Sequence, residues 1–246
     1  MPDYPLALIT GSAQRLGKAF ALSLAKCGYA IFLHYQSSEV EASRTASEIC
    51  ALGVPVVTYH ADLTSEAEIE TMFKAVDEML MATAQVSRFT VLVNSAAIMP
   101  SGDARTMPVS EFDSAIALNL RAPFILSQQA YRRMSEGSLI VNISDIGAQK
   151  VWSGYPAYTV SKAGLEALTR VLARSFAPKV RVNAIAPGLA LPSDEFPFEE
   201  WSRLASKIPL KRPANLEELT STLEFLISNQ YITGETIAVD GGYLLI

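Results

Sequence analysis

Cysteine and histidine are scarce in this chain. Its 246 residues include two cysteines, Cys27 and Cys50, and two histidines, His34 and His60. The cysteines lie far apart in segments that read as helical, with no Cys-x-x-Cys spacing, which excludes a disulfide scaffold. With so few thiols and imidazoles, no metal site is expected. Basic runs are missing as well. The net charge is −5 and no stripe of Lys and Arg occurs, so no nucleic-acid partner is expected. No apolar run is long enough to cross a bilayer. The N-terminal segment, MPDYPLALITG, lacks the basic lead and long apolar stretch of a signal peptide. No membrane association and a cytoplasmic location are therefore expected. Finally, no Pro-rich or Ser/Gly-rich linker and no internal repeat divides the chain. One domain, 1–246, is expected, with half its residues hydrophobic.

What is present is a regular alternation. Short apolar runs occur at 6–10, 30–35, 55–60, 89–94, 138–144, 180–186 and 236–240. They are nearly continuous in apolar residues, as strands buried on both faces must be. Helical patterns separate them, at 15–28, 39–52, 65–82, 109–134, 156–177 and 215–228. Strands alternating with helices imply βαβ units and a parallel sheet of seven strands with helices on both faces, a Rossmann-type doubly wound α/β fold. Such sheets bind ligands beyond the carboxyl ends of their strands, so the residues after each strand are the informative ones.

After the first strand, TGSAQRLG leads into a helix whose free N–H groups and dipole suit a phosphate. Gly11 permits a tight turn, and Gly17 permits close backbone approach. After the second strand, HYQSSE offers Ser37 and Ser38 and no acid between His34 and Ser38. An acid there would accept from the 2′-hydroxyl of NAD and repel a 2′-phosphate. Its absence, with Arg15 as a nearby cation, favours NADPH; Ser38 is also a candidate cap for the next helix. After the third strand, Asp62 could accept from an adenine amino group or be a solvated loop acid. After the fourth, Asn94 and the small residues behind it, including Ala96, let the chain pass close to a flat ligand. Within 109–134, Pro123 removes the helical partner of the Asn119 carbonyl, which predicts a kink and leaves that carbonyl free to hold a water. Tyr158 lies four residues before Lys162, one helical turn away on the same face. Tyr155 has only Thr159 at that spacing and reads as a packing or pocket-wall residue.

TGSAQRLG, NSAA, Asn119, YTVSK, RVNAIAPG and ITGETIAVDGGY occur in the order and spacing of the short-chain dehydrogenase/reductase family, which the whole chain resembles. The resemblance implies a catalytic set of Asn119, Tyr158 and Lys162. It implies an NADPH site formed by Thr10, Gly11, Arg15, Leu16, Gly17, His34, Tyr35, Ser37, Ser38, Asp62, Leu63, Asn94, Ala96, Tyr158, Lys162, Pro187 and Gly188. Lys162 would lower the Tyr158 pKa and hold the nicotinamide ribose; the Asn119 water would link Lys162 to solvent. A homo-oligomer, usually a tetramer, is also implied.

One position departs from that family's pattern. Thirteen residues before Tyr158, where a serine is usual, stands Asp145. An ionised carboxylate cannot donate to a carbonyl oxygen, and it opposes a neighbouring phenolate. It suits a substrate with N–H donors, or one that needs a second proton source. Pteridine reductases, and the dihydromonapterin reductases similar to them, carry this aspartate and an arginine at the place of Arg15. That resemblance implies reduction of a pterin C=N bond, with Arg15, Met99, Asp145, Tyr158 and Leu189 at the substrate. Met99 replaces the aromatic expected there, Ala97 a serine and Ser37 a basic residue. The Pro- and aromatic-rich segment 189–213 follows the sixth strand, where a substrate lid is expected. Within it Trp201 and Phe198 read as lid packing, and Asp194, Glu195, Glu199 and Glu200 as a solvated helix start. Two alternatives stand beside this reading. One is a generic NADPH-dependent carbonyl reductase, such as a 3-oxoacyl-thioester reductase. The other is a non-catalytic NADP(H)-binding protein on the same fold.

Overall fold

The structure is a computed structural model that describes residues 3–82, 85–192 and 196–246. Seven strands form one sheet: β1 Tyr4–Ile9, β2 Ala30–Tyr35, β3 Val56–His60, β4 Val86–Asn94, β5 Ser138–Ile143, β6 Val180–Pro187 and β7 Thr236–Val239. The order is β3-β2-β1-β4-β5-β6-β7, and every pairing is parallel. Side chains alternate across the sheet. Leu6 and Leu8 of β1 therefore enter one core with Phe32, Phe73 and Phe89, while Ala7 and Ile9 enter the other with Phe20, Ile31 and Leu33. That two-sided burial is why the central strands lack polar alternation. β3 and β7 depart from the expectation: several of their residues are exposed or only half-buried. They are the edge strands, each with a single neighbour.

The helices are α1 Arg15–Lys26, α2 Glu39–Ala51, α3 Glu66–Ala82, α4 Val109–Ile116, α5 Ala122–Arg133, α6 Gly147–Lys150, α7 Pro156–Phe176, α8 Phe198–Lys207 and α9 Leu216–Ser228. The segment 109–134 is not one kinked helix. A π-turn over Ala117–Arg121 separates α4 from α5, and the Ala122 N–H donates to the Ala117 carbonyl, five residues back. Pro123, which has no N–H, sits in the first turn of α5, where none is needed. The π-turn places the Asn119 side chain inward, fully buried. α8 carries Glu199 and Glu200 in its first turn, the helix start expected there, whereas α6 and a final 3₁₀ turn at Tyr243–Leu245 were not expected; such short helices carry too few turns to show a period.

β1 and β4 are adjacent, yet the chain proceeds from β1 toward one edge and from β4 toward the other. The carboxyl ends of these two strands thus open a crevice. His34, at the end of β2, fixes one side of it. Its Nδ1 accepts from the Gly11 N–H at 3.1 Å, so Nε2 carries the proton and donates to the Ala61 carbonyl at 3.0 Å. Burial drives the His34 pKa down from 6.5 to about 4. The folded state keeps this imidazole neutral, whereas the unfolded chain binds the proton below about 6.5. His34 should therefore withdraw stability as pH falls from about 6.5 to 4, by up to roughly 3 kcal/mol. Urea unfolding across that window checks this, and His34→Gln should flatten the dependence.

Candidate active site

A cleft of about 1310 Å³ runs along the carboxyl ends of the strands. One end lies over the turn between β1 and α1. Gly11 adopts φ +62°, and a Cβ there would lie 2.9 Å from the Ala96 Cα. A Cβ on Gly17 would fall 2.2 Å from the Gly11 carbonyl oxygen. Both glycines are thus required by close backbone approach. α1 has no acid in its first turn, and its start carries no side-chain cap. Its N–H groups and positive dipole end remain available to an anion. With Ser37 and Ser38 lining the same cleft, these residues fit a phosphorylated dinucleotide.

Arg15 takes the left-handed φ of +54°, where glycine is usual. Its two terminal nitrogens donate to the carbonyls of Pro192 (2.9 Å) and Leu191 (3.1 Å). The guanidinium, expected at the diphosphate and substrate, lines the cleft and holds the Leu191–Pro192 segment. This contact spans 177 residues of sequence and carries no local pattern.

At the middle of the cleft, α7 presents Tyr158, Lys162 and Glu166 on one buried face. Tyr158 Oη donates to Asp145 Oδ2 at 3.0 Å, and the Gly147 N–H donates to Asp145 Oδ1 at 2.7 Å. Burial raises the Asp145 pKa, against these two donors and the Lys162 charge. Burial, then the charge of Asp145 and its hydrogen bond, pushes Tyr158 well above the ordinary tyrosine value. The expected lowering of Tyr158 by Lys162 does not occur here. The ammonium lies 5.6 Å from the phenol ring centroid, and Nζ is spent on the Ile143 carbonyl at 2.7 Å. Burial lowers Lys162 from 10.5 to about 8. Tyr158 is accordingly held as a neutral proton donor.

Ser144, next to Asp145 in sequence, does not stand in for the usual serine. It is committed elsewhere: its Oγ donates to Glu166 Oε1 at 3.0 Å. Asn119 bridges elements through its side chain, accepting from the Ile98 N–H and donating to the Ile98 carbonyl and Ser161 Oγ.

Most of the expected site residues meet in this cleft. Gly11, Arg15, Leu16, Gly17, His34, Tyr35, Ser37, Ser38, Leu63, Ala96, Met99, Asp145, Tyr158, Lys162, Pro187, Gly188 and Leu189 all line it. Three do not. Thr10 is buried, where its hydroxyl accepts from the Ser95 and Ala96 N–H groups. Asn94 is buried and donates to Asn142 Oδ1. Asp62 holds the Thr64 N–H and hydroxyl on Oδ1. Thr10 and Asn94 thus brace the wall from behind, while Asp62 is half-buried and holds its own loop. Ser38 starts α2 without a side-chain cap hydrogen bond; its hydroxyl accepts from Gln14 Nε2. Phe198 is 81% exposed and so packs no lid. Trp201 lines the cleft, edge-on to Phe196 at 6.0 Å. Asp194 and Glu195 lie outside the described residues. Unforeseen parts of the wall are Trp152, Tyr243 and Glu200; only their approach in space identifies them.

A doubly wound sheet with this cleft and a buried Tyr–Lys pair defines a nucleotide-dependent oxidoreductase. A family model described as enoyl-(acyl carrier protein) reductase matches residues 11–244. The 3-oxoacyl-[acyl-carrier-protein] reductase FabG of Staphylococcus aureus is 32% identical over 243 residues, 96% of each chain. Pteridine reductase 1 of Leishmania tarentolae is also 32% identical, covering 99% of this chain and 98% of that relative. The crystal structure of FolM alternative dihydrofolate reductase 1 from Brucella canis, complexed with NADP, matches with a TM-score of 0.90 at 33% identity. That match covers 99% of this chain and 94% of the other. The chain belongs to the short-chain dehydrogenase/reductase family and is an oxidoreductase.

The buried ammonium of Lys162 has a testable cost. A folded-state pKa near 8 against 10.5 means that folding disfavours the charged form below about pH 8. The unfolded chain holds more protons between 8 and 10.5, so stability rises with pH through that window. Lys162→Met should therefore raise stability at pH 7 by about 1–3 kcal/mol, with the gain shrinking toward pH 10. Chemical denaturation at both pH values checks the sign.

Proposed function

We propose that this protein is an NADPH-dependent reductase that adds hydride to a C=N bond of a dihydropterin. One observation carries the reading: the hydrogen bond between Tyr158 Oη and Asp145 Oδ2 at 3.0 Å. NADPH, when bound, supplies the hydride. The residues of this chain manage the proton. Asp145, when ionised, accepts from a ring N–H or amino group and orients the heterocycle. Tyr158, kept neutral by burial and by Asp145, delivers its proton to the ring nitrogen as carbon receives hydride. Lys162, held on the Ile143 carbonyl with its ammonium 5.6 Å from the phenol ring centroid, would by family resemblance hold the nicotinamide ribose. A water on the Asn119 main chain would return the proton from solvent. Ser37 and Ser38 at the end of β2, with no acid from His34 to Ser38, support the phosphorylated cofactor.

The competing reading is reduction of a 3-oxoacyl thioester. Sequence identity does not separate the two, since the ketone and pteridine reductases quoted above are equally similar. The site chemistry favours the pterin. An ionised Asp145 offers a substrate carbonyl no donor, and the adjacent Ser144 is bound to Glu166. By family resemblance the assembly is a homotetramer, and the exposed Val160 and Val171 of α7 are side chains it could cover.

Steady-state NADPH oxidation with dihydrobiopterin, dihydromonapterin, ketones and acetoacetyl thioesters should show pterin turnover and only weak ketone turnover. Robust ketone reduction without pterin activity would reject the reading. Tyr158→Phe should lower kcat at least about 100-fold with NADPH binding near normal. Asp145→Ser should collapse pterin turnover; an unchanged rate removes the acid from the mechanism.

A further inference from the structure

The charges of the cleft are unevenly placed. Among the described residues that line it, four are charged: Arg15, Asp145, Lys162 and Glu200. Both cations are anchored on neutral carbonyls. Arg15 has both terminal nitrogens on the Leu191 and Pro192 carbonyls, and Lys162 is buried on the Ile143 carbonyl. Residues 193–195 are Ser, Asp and Glu, so the sequence adds no cation in the undescribed part of this segment. The acids are differently situated. Asp145 sits in the floor beside Tyr158. Glu200 stands on α8 with Trp201 and Leu204, which share the same wall. Its ion pair is with Arg203 at 3.4 Å, and both side chains are about half exposed or more. Such an exposed i,i+3 pair is weak and screened. Arg203 does not line the cleft, so the Glu200 carboxylate is the charge presented to a ligand there.

We infer that Glu200 is a specificity residue that selects pterins with a neutral, hydroxylated side chain over pterins with an anionic tail. This rests on the dihydropterin reading given above. A heterocycle whose donors meet Asp145 and Tyr158 directs its substituent toward the cleft mouth, where α8 stands. Hydroxyl groups on that substituent donate to the Glu200 carboxylate. A glutamyl tail brings carboxylates within a Debye length of Glu200, while the Arg15 guanidinium is oriented by the Leu191 and Pro192 carbonyls. The aromatic wall of Phe196, Trp201 and Trp152 accepts either ring, so the discrimination is carried by charge.

The test is the ratio of kcat/KM for 7,8-dihydrofolate to that for 7,8-dihydrobiopterin. It is measured for the wild type, Glu200→Gln and Glu200→Lys, and for Glu199→Lys as a control. Glu199 is exposed on the same helix and does not line the cleft. The ratio should be low in the wild type, rise with Glu200→Gln, and rise about tenfold or more with Glu200→Lys. High salt should compress the difference. Glu199→Lys should leave the ratio alone. A ratio indifferent to Glu200, or raised equally by Glu199→Lys, overturns the inference. The same ratio read as dissociation constants with NADP⁺ present tests Glu200 independently of turnover. Charge selection in binding without reduction of either pterin would overturn the reductase reading and leave Glu200 in place.

Discussion

The hydrogen bond between Tyr158 and Asp145 ties α7 to the loop after β5, and much of the cleft is arranged so that it can form. α7 must be phased so that Tyr158, Lys162 and Glu166 face inward on successive turns, which its buried stripe achieves. The loop after β5 must bring Asp145 to the phenol with its second oxygen satisfied. The Gly147 N–H does this, and a Cβ on Gly147 would lie 2.8 Å from the Trp152 ring. Ser144 must be kept from competing, and Glu166 holds its hydroxyl. The result is a pair of acids, carboxylic and phenolic, both biased by burial toward their protonated forms. Such a pair can give protons to a substrate.

The cofactor half of the cleft depends on a different constraint, close backbone approach. Gly11 and Gly17 leave no room for side chains, and His34 locks the turn to the end of β3 through two hydrogen bonds. Arg15 then joins this half to the loop before α8. Lys162 shows the cost of such a site: an ammonium buried with one carbonyl acceptor is retained although burial works against its charge.

The strands were legible because burial on both faces of a sheet forces nearly continuous apolar runs, and the central strands carry that demand in full. The edge strands β3 and β7 follow it less well, since a strand with one neighbour keeps solvent on part of its surface. The break at Ala117–Arg121 was foreshadowed by Pro123, but its form as a π-turn was not, because a proline removes a donor without specifying how the backbone closes around the gap. In the site, Asp145 was visible as a departure at a fixed spacing from Tyr158. The roles of Thr10 and Asn94 as supports behind the wall were not, because each depends on partners from other strands.

Local order along the chain by itself determined the alternation of strands and helices, the glycine turn before α1, and the one-turn separation of Tyr158 from Lys162. These follow from periodicities of the backbone and need no distant partner. The tertiary structure decided which groups are free. It engaged Arg15 with the loop before α8, turned Ser144 to Glu166, raised Tyr158 instead of lowering it, and set Glu200 on the wall of the cleft. Those outcomes depend on burial and on contacts between residues far apart in the chain, which no local pattern of residues encodes.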